Sequence, residues 1–397
     1  MTHIAIILPE SLPMPPVKGG AVENLVQHII DYNEKVLDIK ISVFSIWAPE
    51  VDSYNTDNLS CTTYQYYKPS GVKKYIDLLY KIIRIIKRQA FHNLSPSLYE
   101  VEAYKMVKRA GIQKVVLANC PYSAPYINRK NEFHVIQYLH NDYLNERNVF
   151  TERVFESSQQ YIAVSNFIKK RLQVVIGLSE RVDVCYNGIE LERFGVSDEK
   201  KGLELRNKFK IKETDKVVLF IGRIAENKGV LELIQAFLKI ANKHKDWKLF
   251  IVGSHSFSDN NIDEYGQRLR ALAACLDGQV VFTGYVDYKD IPSYHQIASI
   301  CAVPSTCYES FNLTSVEAQA SGHPVIVSDA GGIIETVTDK SGIIVKRDAH
   351  FVENLAIEME KVLSDESLYE EMKIAAKESA KRFPAEEMCK SFVKLVK

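Results

Sequence analysis

Short apolar runs alternate with segments whose apolar residues recur at helical spacing through most of this chain. Runs at 4–8, 40–46, 115–118, 134–139 and 160–164, with another near 182–185, read as buried strands. A second set falls at 216–221, 248–252, 279–282, 299–303, 324–327 and 342–345. Helical patterns lie between them at 21–37, 166–175, 229–243, 312–321 and 350–363. Strands that are apolar throughout, separated by helices, call for parallel sheets covered on both faces. Charged residues gather at 192–216, around Lys200, Lys201 and from Lys208 to Lys216, and the start of that stretch reads as a linker. The pattern predicts an α/β chain of two doubly wound domains, 1–195 and 196–383, facing each other. Ligands of open α/β sheets bind beyond the carboxyl ends of the strands, so the segments just after strands carry the candidate chemistry.

One helical pattern stands apart. Along 72–88, at about 100° per residue, Lys73, Lys74, Asp77, Lys81, Arg84, Lys87 and Arg88 fall on one face. Tyr75, Leu78, Leu79, Ile82, Ile83, Ile85 and Ile86 fall on the other. The expectation is that the apolar face packs on the first domain's sheet while the basic face is solvated. That basic face could steer the protein to an anionic membrane surface.

The 397 residues suffice for two cores. Fifty basic side chains balance 50 acidic ones, which argues against a nucleic-acid protein held by bulk charge. The seven cysteines show no C-x-x-C spacing and several sit in apolar runs, as reduced core residues do. The first residues carry no basic stretch and only a short apolar run, unlike a signal peptide, and no run reaches membrane-spanning length. The expected location is cytoplasmic, with peripheral contact at the inner face of the cell membrane through 72–88.

The densest candidate chemistry lies in Tyr308-Glu309-Ser310-Phe311-Asn312-Leu313-Thr314-Ser315-Val316-Glu317-Ala318. Asn312 suits the cap of a helix ending near Gly322, with Glu309 in the loop before it and Glu317 about two turns on. Carboxylates accept hydrogen bonds from neighbouring hydroxyls, and the free amides of a helix start suit a phosphate. Hydroxyls with phosphate describe a nucleotide sugar. A solvated glutamate beside a capping-box partner is the plainer alternative for this spacing alone.

Other strand ends add weaker signals. Lys18-Gly19-Gly20-Ala21 opens a helix after the first strand, but it is neither G-x-G-x-x-G nor a P-loop. Gly222-Arg223 to Lys228-Gly229 places two cations after a strand, where they can neutralise a diphosphate without a metal. Thr283-Gly284-Tyr285, Gly331-Gly332 and Asn187-Gly188 are further turns.

Taken in order, these motifs resemble glycosyltransferase family 4, enzymes of the GT-B fold. The matches are Gly19-Gly20-Ala21, Ala163-Val164-Ser165, Asn187-Gly188-Ile189-Glu190, Gly222-Arg223 through Lys228-Gly229, Thr283-Gly284-Tyr285, the E-x(7)-E pair Glu309/Glu317, and Gly331-Gly332. The resemblance implies two Rossmann-like domains facing an interdomain cleft, the first for the acceptor and the second for the donor. It also implies a closing helix at 384–397 that crosses back onto the first domain. It implies a retaining hexosyltransferase that takes a nucleotide-diphosphate sugar to a hydroxyl of a glycan or lipid-linked acceptor in bacterial surface polysaccharide, with no metal and no cofactor.

Carried onto this chain, Arg223 and Lys228 hold the diphosphate and stabilise the leaving group. Glu317 accepts from the ribose hydroxyls and Glu309 from the sugar. Tyr285 and the amides near Asn312 and Leu313 line the donor, and Gly19 and Gly20 let it approach. His140, in Tyr138-Leu139-His140-Asn141-Asp142, resembles the family's histidine near the sugar. Asn141 separates it from Asp142, so no role carries to Asp142. Ser310 and Asn312 stand where the family usually has glycine, and Asn312 tolerates the left-handed conformation such a turn uses. Alternatives left open are a sugar-nucleotide epimerase or glycan phosphorylase of similar layout, and a non-catalytic nucleotide-sugar-binding protein.

Overall fold

A computed structural model describes residues 1–56, 58–91, 94–176, 181–195, 199–255, 262–276 and 278–397. The chain divides into two units, Met1–Asn187 with Glu386–Lys397, and Gly188–Ala385.

Among the described residues unit 1 holds seven strands, β1 Thr2–Ile7, β2 Ile39–Ile46, β3 Thr62–Tyr67, β4 Lys114–Ala118, β5 His134–Leu139, β6 Gln160–Ala163 and β7 Val182–Val184. They form one sheet in the order β3-β2-β1-β4-β5-β6-β7, and every pairing is parallel. The chain reverses direction of travel across the sheet between β1 and β4, so the loops after those strands flank the switch point. Helix α1, Ala21–Val36, buries Leu25, Val26, Ile29 and Ile30, the one-turn spacing that makes a single apolar stripe. It stops at Leu37, which takes a left-handed conformation with φ 53°.

Helix α2, Val72–Phe91, lies the other way round from expectation. Its polar arc faces the unit. The Tyr67 hydroxyl donates to buried Asp77 (2.9 Å), and Lys81 sits 3.1 Å from Asp77 and 3.6 Å from Glu10. Arg84 lies 3.4 Å from Glu10 and 3.8 Å from Glu100, which belongs to the next helix, α3 (Leu98–Arg109). Lys81 and Arg84 are thus engaged by carboxylates of unit 1, and the apolar arc is left outside. The carboxylates waiting on unit 1 decide the orientation, since an unpaired buried carboxylate costs more than an exposed leucine. The side chains of Lys73, Lys87 and Arg88 lie outside the described set.

Unit 2 holds β8 Lys216–Ile221, β9 Trp247–Val252, β10 Val280–Gly284, β11 Ile300–Val303, β12 Val325–Ser328 and β13 Gly342–Val345. Their order is β10-β9-β8-β11-β12-β13, again all parallel. The switch point lies between β8 and β11. On one face, helix α4 (Val230–Ala241) buries Leu233, Ile234 and Phe237 against Val218, Leu249 and Ile251. Each such side chain contributes roughly 1.5–3 kcal/mol.

The units part between Asn187 and Gly188, eight residues before the position read from the charged stretch; residue 196 itself lies outside the described residues. Residues 188–195 belong with unit 2 for visible reasons. Ile189 donates its amide to Phe383 O (3.0 Å) and accepts from Ala385 (2.8 Å), and a Cβ on Gly188 would strike the Pro384 backbone. Helix α5, Ala385–Val396, places residues 386–397 with unit 1: Phe392 packs on Tyr138 with centroids 5.1 Å apart, and Lys114 Nζ donates to Val396 O (3.1 Å).

Candidate functional site

In unit 2 the site is built by loops that leave β8, β11 and β12. After β8, the amide of Gly222 donates to Val252 O (3.0 Å) and that of Ile224 to Ser254 O (2.9 Å), which holds the loop across the strand ends. A single tight turn, Glu226–Lys228, follows, and Gly229 starts α4 with φ 72°. A Cβ there would collide with Pro304 O, so only glycine lets the β8 and β11 loops touch. They do touch. Thr306 N donates to Asn227 O (3.1 Å) and its hydroxyl to Glu226 O (3.1 Å).

Two chemical groups result. In the first, Lys228 Nζ donates to Glu309 Oε1 at 2.6 Å, and Ser305 Oγ donates to the same oxygen at 2.7 Å. Glu309 itself is gripped by backbone: its amide donates to Ala330 O (3.0 Å) and its carbonyl accepts from Gly332 (2.7 Å), beside the Gly331-Gly332 turn after β12. Arg223 is exposed, and among the described residues its guanidinium has no recorded hydrogen bond or ion pair. In the second group, Glu317 is buried in the helix Leu313–Ala320 and accepts from the Tyr288 hydroxyl (2.9 Å). Burial pushes its carboxyl up to about 7, against the pull of that hydroxyl and of the Arg193 charge. Arg193 donates to Tyr288 O (2.6 Å) and lies over its ring at 4.3 Å, so it holds the tyrosine that holds the glutamate.

The helix start conforms to the capping expectation and departs from the left-handed one. Asn312 Oδ1 accepts from Ser315 N (2.8 Å), but Asn312 is extended, with φ −139°. A side chain fits there without strain, so glycine is not required at this position in this chain. The cap uses the Ser315 amide, while the amides of the first turn have no carbonyl a turn earlier to bond. Tyr285 is half-buried after β10, in contact with neighbours.

In unit 1, His140 follows β5 and is buried at 8 % exposure. It packs edge-on against Tyr138 at 4.2 Å, and its amide donates to Asn119 Oδ1 (3.3 Å). Neither ring nitrogen has a partner among the described residues, and burial pushes the imidazole down to about 3, so it is neutral. Asp142 is bound to Arg171 at 3.1 Å. Gly19 and Gly20 have φ 75° and 106°, and a Cβ on Gly20 would strike the Glu23 carboxylate. That glutamate is buried in the first turn of α1, with its carboxyl pushed up to about 7.

Sequence reading passed over Ser305, Tyr288, Arg193 and Glu23. Ser305 and Tyr288 each follow a strand end, which was the available signal; Arg193 and Glu23 gave none beyond charge.

Residues 203–379 match the family model described as glycosyl transferases group 1. The putative glycosyltransferase YtcC of Bacillus subtilis is 25 % identical over 379 residues, covering 93 % of this chain and 85 % of that one. This chain is a glycosyltransferase of the GT-B fold. The capsular polysaccharide biosynthesis glycosyltransferase CapM of Staphylococcus aureus is 32 % identical over 219 residues, 55 % of this chain and 53 % of the relative. The crystal structure of Anabaena HepE in complex with UDP-glucose superposes with a TM-score of 0.76, at 17 % identity, over 99 % of this glycosyltransferase and 98 % of that chain. The likeness in fold spans both units, whereas the family model falls within unit 2. Epimerase, phosphorylase and non-catalytic binding give way to the transferase.

Proposed function

We propose that this glycosyltransferase is a retaining enzyme of family 4. It moves a hexose-type sugar from a nucleotide-diphosphate donor to a hydroxyl of a glycan or lipid-linked acceptor, in the assembly of bacterial surface polysaccharide. The observation that carries the reading is the Lys228–Glu309–Ser305 group at the switch point of unit 2, with Arg223 on the same loop as Lys228. A flavour of pathway comes from relatives such as CapM, whose name specifies capsule.

In this reading Lys228 and Arg223 take the diphosphate, with first-turn amides near Asn312 and Leu313. Glu309 takes sugar hydroxyls and Glu317 the ribose. The bond from the anomeric carbon to the diphosphate oxygen breaks toward an oxocarbenium-like ion pair. The acceptor oxygen bonds to the same face, and its proton passes to the departing diphosphate. Fixed cations stabilise the charge that develops on that group, the largest kind of contribution such a site makes. No divalent metal enters this scheme, because Arg223 and Lys228 supply the positive charge. Gly19, Gly20 and His140 are assigned to ligand contact on the family resemblance. The buried imidazole, without a partner among the described residues, supports this for His140, since such a group costs stability unless something else bonds it.

A thermal-shift screen against UDP-, GDP- and ADP-sugars identifies the donor, because ligand binding raises apparent stability. NMR of the transferred or slowly hydrolysed sugar then reads the anomer. Inverted product rejects the retaining assignment; absence of any shift and any turnover rejects the donor class.

A further inference from the structure

Helix α2 leaves a continuous apolar strip uncovered. Val72, Tyr75, Leu78, Leu79, Ile82 and Ile86 are exposed by 48–75 %. A helix of this length runs roughly 30 Å, and surfaces of soluble monomers seldom leave such a strip bare. The opposite arc is fixed: Asp77, Lys81 and Arg84 are bound to Tyr67, Glu10 and Glu100, so the strip cannot turn inward without breaking those pairs. Behind the helix, Ile76 lines a cavity of about 730 Å³ of mixed character, with Phe44, Leu98 and Met106 beside Lys68, Glu102 and Arg109, so the apolar surface is confined to the outer strip.

Charge selects what covers the strip. Lys74 is exposed at its margin, and the sequence adds Lys73, Lys87 and Arg88 to the same helix. The helix's one acidic residue, Asp77, is buried. A second copy of this helix would bring like charges to a segment already rich in lysine and arginine, whereas an anionic lipid surface meets them with opposite charge. The strip is also a single convex ridge, the form that lies in a planar interface.

We propose that α2 is an interfacial anchor. It lies in the plane of an anionic bilayer with its apolar strip at the boundary between headgroups and acyl chains. Attachment comes from the inserted strip, and the helix's excess of basic residues favours an anionic surface. The mode therefore differs from adsorption by a solvated basic face. The inference rests on the exposed helix and not on the transfer reaction, so failure of either leaves the other standing.

The test is flotation of the full chain with vesicles of phosphatidylcholine and phosphatidylglycerol. It is run at about 0.1 M and about 1 M salt, between which the Debye length falls from about 10 to about 3 Å. Binding is expected to survive the higher salt. The combined variant Leu78→Ser, Leu79→Ser, Ile82→Ser and Ile86→Ser changes only exposed positions and is expected to lose at least about tenfold in binding. Ile82→Trp is expected to shift its fluorescence to the blue on vesicle addition, a readout of insertion that needs no loss of function. Binding that high salt abolishes would mean adsorption by charge and overturn the proposal. So would wild-type protein that fails to float, or a dimer in solution that the serine variant dissociates without any vesicle binding.

Discussion

Lys228 Nζ and Glu309 Oε1 lie 2.6 Å apart, joined across the switch point of the second sheet from loops that follow β8 and β11. The pair is partly buried, and Ser305 completes the carboxylate's hydrogen bonding. Each residue therefore fixes the other's position as well as any role toward a ligand. Glu309→Gln and Lys228→Ala are each expected to cut transfer at least about a hundredfold while the protein stays folded. Because the side chains act as a unit, the double variant should lose much less than the product of the two losses. Normal turnover by either well-folded variant removes the assignment; strict additivity removes the coupling.

Transfer is expected to proceed without a divalent metal. The physical ground is the positive charge that Arg223 and Lys228 place after β8, on the loop closed by Gly229. Activity after treatment with EDTA is the measurement. Loss of turnover that Mn²⁺ or Mg²⁺ restores is the contrary result.

Donor binding is expected to depend on pH through Glu317. Its carboxyl is raised from the usual range to about 7 by burial. The folded protein therefore holds this proton up to about pH 7, where the unfolded chain has already lost it. The stability it contributes is full below the ordinary glutamate range and is lost as pH rises through about 7. A ribose that donates hydrogen bonds needs the carboxylate, so donor binding should release a proton. Affinity for the nucleotide sugar should improve by up to about tenfold per unit as pH rises toward 7, and level off above it. Titration calorimetry from acid to neutral pH in wild type and Glu317→Gln checks this. An identical slope in the variant assigns the effect elsewhere, for example to Glu23, which both proteins carry.

His140 separates function from stability. Its two ring nitrogens are buried with no partner among the described residues, an arrangement that costs about 1–3 kcal/mol. His140→Leu should leave the urea midpoint unchanged or raised while transfer falls. A destabilised variant with normal kinetics would make the histidine structural.

The lines of sheet and site that were legible in the sequence share one property, that burial or backbone geometry wrote them into residue type. The runs at 134–139 and 216–221 coincide with strands because parallel strands inside a covered sheet are apolar on both faces. β3, Thr-Thr-Tyr-Gln-Tyr-Tyr, was missed because its partly covered threonine, glutamine and tyrosine side chains make no apolar run to announce it. The Glu309/Glu317 spacing was visible, but Tyr288 and Arg193, which hold Glu317, come from segments 29 and 124 positions earlier. The two faces of α2 were visible too. Which one turns inward depended on Glu10 and Glu100, distant carboxylates whose meeting with the helix only the fold arranges.

The pairing of Ile189 with Phe383 and Ala385 has a consequence for how the protein is made. Unit 2 is one unbroken segment whose two ends are hydrogen-bonded neighbours, so a ribosome delivers it whole. Unit 1 is not whole until residues 386–397 emerge, because Phe392, fully buried, comes last to its place beside Tyr138. Unit 2 is thus complete in sequence twelve residues before unit 1 is. A nonsense codon just past Pro384 would spare the unit that holds Lys228 and Glu309 and leave the other with an open core.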